Sequence, residues 1–273
     1  MPKNRTIFDM NVLKMKQERS KILPSVNFVD EFVINQALDI LSGIRRKFVK
    51  SAVIGRRADY WSNHLKLGNV TLIDEAEKLN FKGKKFDLII HALSLHRCND
   101  PIGQLIQVRQ ALNLDGLMLG FLFGGETLRE LRASFEAAEI RIENGISPRV
   151  APMIEIRDAG DLLVRAGFAL SVADKTDLVV SYKTPIDLFH DLRNMGETSI
   201  MINRQKNFLR RDTLNKCLEI YSSDYTMVND ERVKATFQLF CLTGWSPADH
   251  QQKPLKPGSA THHFSEVLNT YKF

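Results

Sequence analysis

The stretch from Phe86 to Gly125, FDLIIHALSLHRCNDPIGQLIQVRQALNLDGLMLGFLFGG, decides the fold. FDLIIHALSL (86–95) is a continuous apolar run, the pattern of a strand buried on both faces of a parallel sheet. DPIGQLIQVRQAL (100–112) is amphipathic at helical spacing, with Asp100 as a cap and Pro101 in the first turn. NLDG (113–116) reads as a turn, and LMLGFLFGG (117–125) as a second buried strand. Strand, helix and strand in that order make a βαβ unit.

Reading outward extends the alternation. Upstream, FVKSAVIG is a short strand running into a turn at Gly55. Residues 57–66 form a helix, and VTLID (70–74) is a further strand. Downstream, ETLRELRASFEAAEI (126–140) is a helix. RDAGDLLVRAGFALSV gives a helix closed by Gly167 and then a strand. DLVVSY is a short strand, PIDLFHDLRNMG and 205–222 are helices, and VKATFQLFCLTGW (233–245) closes the sheet. Two helices, 9–22 and 28–44, precede everything else and make residues 1–47 an amino-terminal helical cap. The expectation is one α/β domain over 1–273, a doubly wound, mostly parallel, Rossmann-like sheet.

Composition narrows the class. The 273 residues are 44% hydrophobic and 26% charged, ordinary for a globular protein. No apolar run is long enough to span a bilayer. Cys98, Cys217 and Cys241 are odd in number and far apart, which fits a reducing compartment and no disulfide framework. MPKNRTIFDM has no apolar core of a secretory signal. The net charge is +6, and residues 1–57 carry 12 Lys/Arg against 5 Asp/Glu. Such a segment suits an acidic protein, phosphates or an anionic membrane surface, or is simply a solvated helix face. It lacks interleaved aromatics, so no nucleic acid is expected.

In an open parallel sheet, ligands sit beyond the carboxyl ends of the strands, where strand order reverses. A carboxylate about 20 residues beyond the first glycine turn grips ribose hydroxyls in such folds. Asp74 falls at about that distance from Gly55, although an acid ending a strand is also a common helix cap. The GxGxxG fingerprint of a dinucleotide dehydrogenase is missing.

Taken together, these elements resemble the class I S-adenosylmethionine-dependent methyltransferases. One branch matches more closely: that of the biotin-pathway carboxyl methyltransferase and the mitochondrial complex I assembly factor related to it. The resemblance rests on IFDMNVLKMKQ, FDLIIHALSLHRCND, LNLDGLMLGFLFGGETLRELR, ISPRVAP, DAGDLLVRAGF, DLRNMGET, LRRDTL, TFQLFCLTGW and KPGSAT. It implies a seven-stranded sheet, lid-like helices inserted over 178–232, and S-adenosylmethionine as cofactor. It also implies a partner that is a subunit of the respiratory NADH dehydrogenase, and a cytoplasmic location in a bacterium or the mitochondrial matrix in a eukaryote. Peripheral membrane contact is compatible with it. The mitochondrial member of the branch is described as an arginine hydroxylase.

Two departures from the family stand on the cofactor side. Its first loop has the form D/E-x-G-x-G-x-G, whereas AVIGRRADYW keeps only Gly55 and puts Arg56 and Arg57 where a bare backbone is needed. One strand and helix unit is also missing. Either VTLID is strand two, making Asp74 the ribose acid, or it is strand three, making Asp74 and Glu75 the acidic pair near the adenine. The second alignment is preferred. The expectation is a cofactor site weakened or lost beside a retained protein-facing surface. An active methyltransferase on a carboxylate or protein-bound acyl group, and a non-catalytic scaffold, are the alternatives.

The candidate residues follow from these loops. Gly55, Asp74, Glu75 and Leu95 are the cofactor candidates. His96, at the active edge, is the candidate general base, because imidazole titrates near neutrality; a histidine bonded to backbone is the plainer alternative. Gly125, Glu126 and Thr127 open the next helix, where close backbone approach competes with plain capping. Arg129, Arg132 and Arg149 suit an acidic partner or decorate a helix surface. His91 reads as a core histidine, and His262-His263 lacks the companions of a metal site.

Overall fold

A computed structural model describes residues 6–228, 230–252 and 258–259. The chain order is α1 (Met10–Lys21), α2 (Phe28–Gly43), β1 (Lys50–Ile54), α3 (Ala58–His64), β2 (Asn69–Ile73) and β3 (Phe86–Ala92). Then come α4 (Pro101–Ala111), β4 (Leu112–Phe123), α5 (Arg129–Glu143), α6 (Ile156–Arg165) and β5 (Ala169–Tyr182). Last are α7 (Pro185–Asn194), α8 (Arg211–Tyr225) and β6 (Val233–Trp245). His262-His263 and most of KPGSAT lie outside the described residues.

The six strands form one sheet in the order β2-β1-β3-β4-β6-β5. The first four are parallel; β6 runs antiparallel to β4, and β5 antiparallel to β6. Period-2 alternation sends side chains to opposite layers. Val53, Leu88, Leu117 and Leu119 join the core beneath α2, α3, α5 and α8, while Ala52, Ile89 and Met118 join the core beneath α4 and α6. Both faces are therefore covered, which explains the unbroken apolar runs.

Pairing corrects the preferred reading of VTLID. Val70 to Ile73 pair directly with Ser51 to Ile54, so this strand occupies the slot beside β1, and the outermost strand is the one the sheet lacks. NLDG is not a free turn. It lies within β4, where Asp115 takes a left-handed φ of 58° and is fixed by Arg46 and Gln251. DLVVSY is the second half of one 14-residue strand, because it pairs continuously with β6. The helix expected from 126 starts at Arg129. Leu128 is left-handed, and Thr127 turns into the sheet, donating to the Gln238 carbonyl and accepting from its N–H.

The amino-terminal cap is tied down at specific points. Asp9 caps α1 by accepting from the N–H groups of Asn11 and Val12. Asn99 accepts from the N–H of Ile7 and of Phe8, both at 2.9 Å, and donates to the Phe8 carbonyl. Phe8 bridges Met201 as a short antiparallel pair, and Phe8, Leu13, Ile200 and Met201 form a small core of their own. Asp30 on α2 accepts from the indole of Trp61 and from Arg57, both at 2.7 Å. Replacing Asp30 with Ala strands a buried indole N–H and a guanidinium. The expected cost is about 2–4 kcal/mol by denaturant unfolding. A change under about 0.5 kcal/mol contradicts this account.

Candidate functional site

Strand order reverses between β1 and β3, so a crevice opens beyond Ile54 and Ala92. Gly55 crosses it at φ 142°, where a Cβ would meet the Ala92 carbonyl oxygen at 2.6 Å. Its N–H is already donated to the Ile73 carbonyl. Asp74 follows β2 and, with Gly55, Arg56, Glu75 and Glu77, lines a cleft of about 580 Å³ roofed by Leu13, Gln17 and Lys21 of α1. On the other side of the crevice, beyond β3 and β4, lies a cavity of about 410 Å³.

A charged partition separates the two. Arg97 closes a short 3-10 turn (Leu95–Arg97) and is almost fully buried. It donates to Glu75 at 2.9 and 3.1 Å, to the Leu93 carbonyl at 3.2 Å, and to Glu197. Glu75 also accepts from Gln17 of α1. His96 Nε2 lies 3.4 Å from the second Glu197 oxygen. Burial opposes the Glu197 charge, but Arg97, His96 and Arg56 outweigh it and hold the pKa at about 2. Burial also works against the charge of Arg97, yet Glu197 and Glu75 raise its pKa above the ordinary value. Burial pulls Arg56 the other way, below its ordinary value, with Glu197 opposing.

Between Arg56, Arg57, Asp30, Arg97 and Glu197, beside Ala92 and Leu93, a small hollow of about 20 Å³ remains. Arg57 borders this hollow, and Tyr60 does not. Arg57 is drawn back to Asp30, Asn27 and the Val26 carbonyl, with Tyr60 beneath it at 4.2 Å and bonded to Glu31. Arg56 alone of that pair reaches forward, toward Ser20.

The sequence candidates therefore separate. Gly55, Asp74 and Glu75 share one cleft. Leu95 is 2% exposed and belongs to the core beneath α4 rather than to any opening, because its strand-end position turns it inward. His96 and Arg149 line the 410 Å³ cavity; Arg149 also pairs with Glu139 at 2.7 Å, a carboxylate that Ser147 caps as well. Arg132 reaches the carbonyls of Gly125 and Ala151, and Gly125 faces Glu155. Glu126 and Arg129 form an exposed pair, and Thr127 is spent on β6. His91 bridges Gln104 and Ser94 inside the core, and burial lowers its pKa to about 4, so it stays neutral. Sequence reasoning passed over Arg97, although its neighbours were singled out, and gave no sign of Glu197 as its partner. Among the described residues no three His, Cys, Asp or Glu side chains converge as metal ligands.

The cleft is only partly suited to S-adenosylmethionine. The nucleoside half finds an acid at a strand end and an open volume. Toward the amino acid half the loop presents the Arg56 side chain where a glycine loop would present bare amides.

A sheet with four parallel strands and the antiparallel pair β6 and β5 at one edge defines a Rossmann-like methyltransferase fold. No family model matches the chain. Among curated proteins it is 33% identical over 294 residues to the mitochondrial arginine-hydroxylase NDUFAF5 of Mus musculus, covering 97% of this chain and 85% of that one. The Danio rerio counterpart is 40% identical over 193 residues, 71% of this chain and 60% of its own length. A malonyl-[acyl-carrier protein] O-methyltransferase of Laribacter hongkongensis is 27% identical, covering 67% of this chain and 59% of its own. Among solved structures, the YcgJ protein of Bacillus subtilis matches with a TM-score of 0.49 at 12% identity, covering 80% of this chain and 99% of that one. The chain belongs to the NDUFAF5 family of methyltransferase-like proteins.

The partition makes a pH prediction. Glu197 titrates lower in the folded chain than its ordinary value of 4.5. Its stabilising contribution is thus complete above that value and fades as pH falls toward 2. Glu197→Gln is expected to cost about 2–4 kcal/mol at pH 7. The gap from the parent should be flat above pH ~6 and shrink between pH ~4.5 and ~2. Parallel stability curves across that acid range would remove Glu197 from the network.

Proposed function

We propose that this chain serves in the assembly of the respiratory NADH dehydrogenase, as a methyltransferase-fold protein whose hold on S-adenosylmethionine is weakened or lost. The observation that carries the reading is the small hollow, about 20 Å³, left between Arg56, Arg97 and Glu197 beside the ends of β1 and β3. Family membership supports the assembly role, and its expected partner is a protein subunit. Where the family acts on arginine, this chain's role is to hold that subunit. The location follows the same logic: the mitochondrial matrix or the bacterial cytoplasm. No described helix is long and apolar enough to cross a membrane.

One observation favours a second reading, an active methyltransferase on a carboxylate or protein-bound acyl group. The cleft beside Asp74 remains open, at about 580 Å³, which is room for an adenosyl group. Calorimetry separates the two. Titration with S-adenosylmethionine and with S-adenosylhomocysteine is expected to give dissociation constants weaker than ~100 μM. A constant near ~1 μM for either compound refutes the weakened-cofactor reading and supports the enzyme.

The assembly role has its own test. Capture of tagged protein from its native cell is expected to recover a subunit of the NADH dehydrogenase. Arg129 is half exposed, and Arg129→Glu should lower that recovery at least ~3-fold by reversing the charge on the exposed face. Recovery at background with the parent protein sinks the assembly role. Equal recovery with the variant returns Arg129 to a solvated helix face.

A further inference from the structure

The sheet ends on β5, which has a neighbour on one side only among the described residues. Its inner side pairs with β6 without a break from Val172 to Tyr182. Its outer side presents backbone N–H and C=O groups that no described strand takes up. At 14 residues β5 is well beyond the usual strand length, and natural proteins shorten, bulge or cover such edges. The irregularity here lies at the very start, where Leu170 takes a left-handed φ of 49°, and it leaves the strand regular from Val172 onward.

The side chains of this edge strand are mixed. Val172 is 50% exposed and Val179 54%, although valine is a residue of interiors. Asp174, Lys175 and Asp177 are exposed as well. Charges on an edge ordinarily repel an incoming strand. Lys175 has no ion-pair partner among the described residues. Asp177 is already oriented, accepting from Gln238 of β6 at 3.0 Å.

The order of these charges fits one partner, the same strand of another copy. Two copies that meet edge to edge about a two-fold axis pair antiparallel, and each face of one sheet continues into the same face of the other. Residues directly opposite must then share a face, so the axis passes through a residue. A centre at Asp174, Lys175 or Asp177 sets like charge against like. A centre at Leu178 leaves Lys175 and Asp177 facing Ser181 and Val179. A centre at Thr176 sets Lys175 opposite Asp177 twice, Val172 opposite Val180, and Ala173 opposite Val179. Thr176 itself is a short side chain, held by Gln36 of α2 at 3.0 Å.

We propose that the outer edge of β5 pairs with the same edge of a second copy about a two-fold axis through Thr176, joining two six-stranded sheets into one. The ladder runs from Val172 to Val180. Opposite-charge pairs flank its centre, and apolar pairs close its ends. β5 lies at the edge of the sheet away from β2, so the pairing is independent of the Asp74 cleft and of how tightly any cofactor binds there.

Sedimentation velocity on the full chain at tens of micromolar is expected to give the mass of two chains. Lys175→Asp and Asp177→Lys each place like charges opposite one another twice, and each should weaken association at least ~5-fold. The double variant restores opposite pairs and should return to within about twofold of the parent constant. An equal mixture of the two single variants should associate more tightly than either alone, because one supplies two acids and the other two lysines. Lys175→Asp breaks no side-chain bond of the described residues, so it decides the point alone should Asp177→Lys, which releases Gln238, fail to fold. A parent that stays monomeric overturns the proposal. So does a dimer indifferent to Lys175→Asp, or one that neither the double change nor the mixture of folded variants restores, since each places the contact elsewhere.

Discussion

A guanidinium buried between two carboxylates governs the ligand end of this molecule. Arg97 comes from the turn after β3, Glu75 from the loop after β2, and Glu197 from the loop after α7. Desolvating three charges is expensive, and their attraction compensates only when geometry and further hydrogen bonds are in place. The cluster is therefore a weak source of net stability and a strong source of register. It permits one arrangement of three loops distant in sequence. Through Gln17 it also sets the roof that α1 places over the Asp74 cleft.

That arrangement divides a continuous ledge into two chambers. In a sheet of this kind the reversal point ordinarily lets a ligand lie across the strand ends. Here the ion cluster stands on the reversal point. One chamber is polar and flanked by acids; the other is apolar with basic residues at its rim. Arg97, fully paired, stands between them.

Much of this was legible in the chain. The apolar runs 86–95 and 117–125, with a capped helix between them, gave the parallel core, and the Asp100 cap forms as its spacing predicts. Element boundaries failed where tertiary partners decide them. Asp115 keeps NLDG in a strand because Arg46 and Gln251 hold it, and neither lies near it in sequence. Thr127 looked like a helix cap and is instead a β6 contact, since Gln238 lies opposite it. Gly55, Asp74 and Glu75 were found because strand ends announce themselves. The partition was not found: a lone arginine after a histidine carries no mark of burial, and its second carboxylate lies a hundred residues away.

The glycine at position 55 has a consequence for how such sequences are interpreted. A methyl group there would collide with the backbone of the neighbouring strand whatever else the crevice held. Packing alone is enough to require it. A glycine after the first strand of such a sheet is thus a record of two strands passing closely, and by itself it testifies to nothing about a guest.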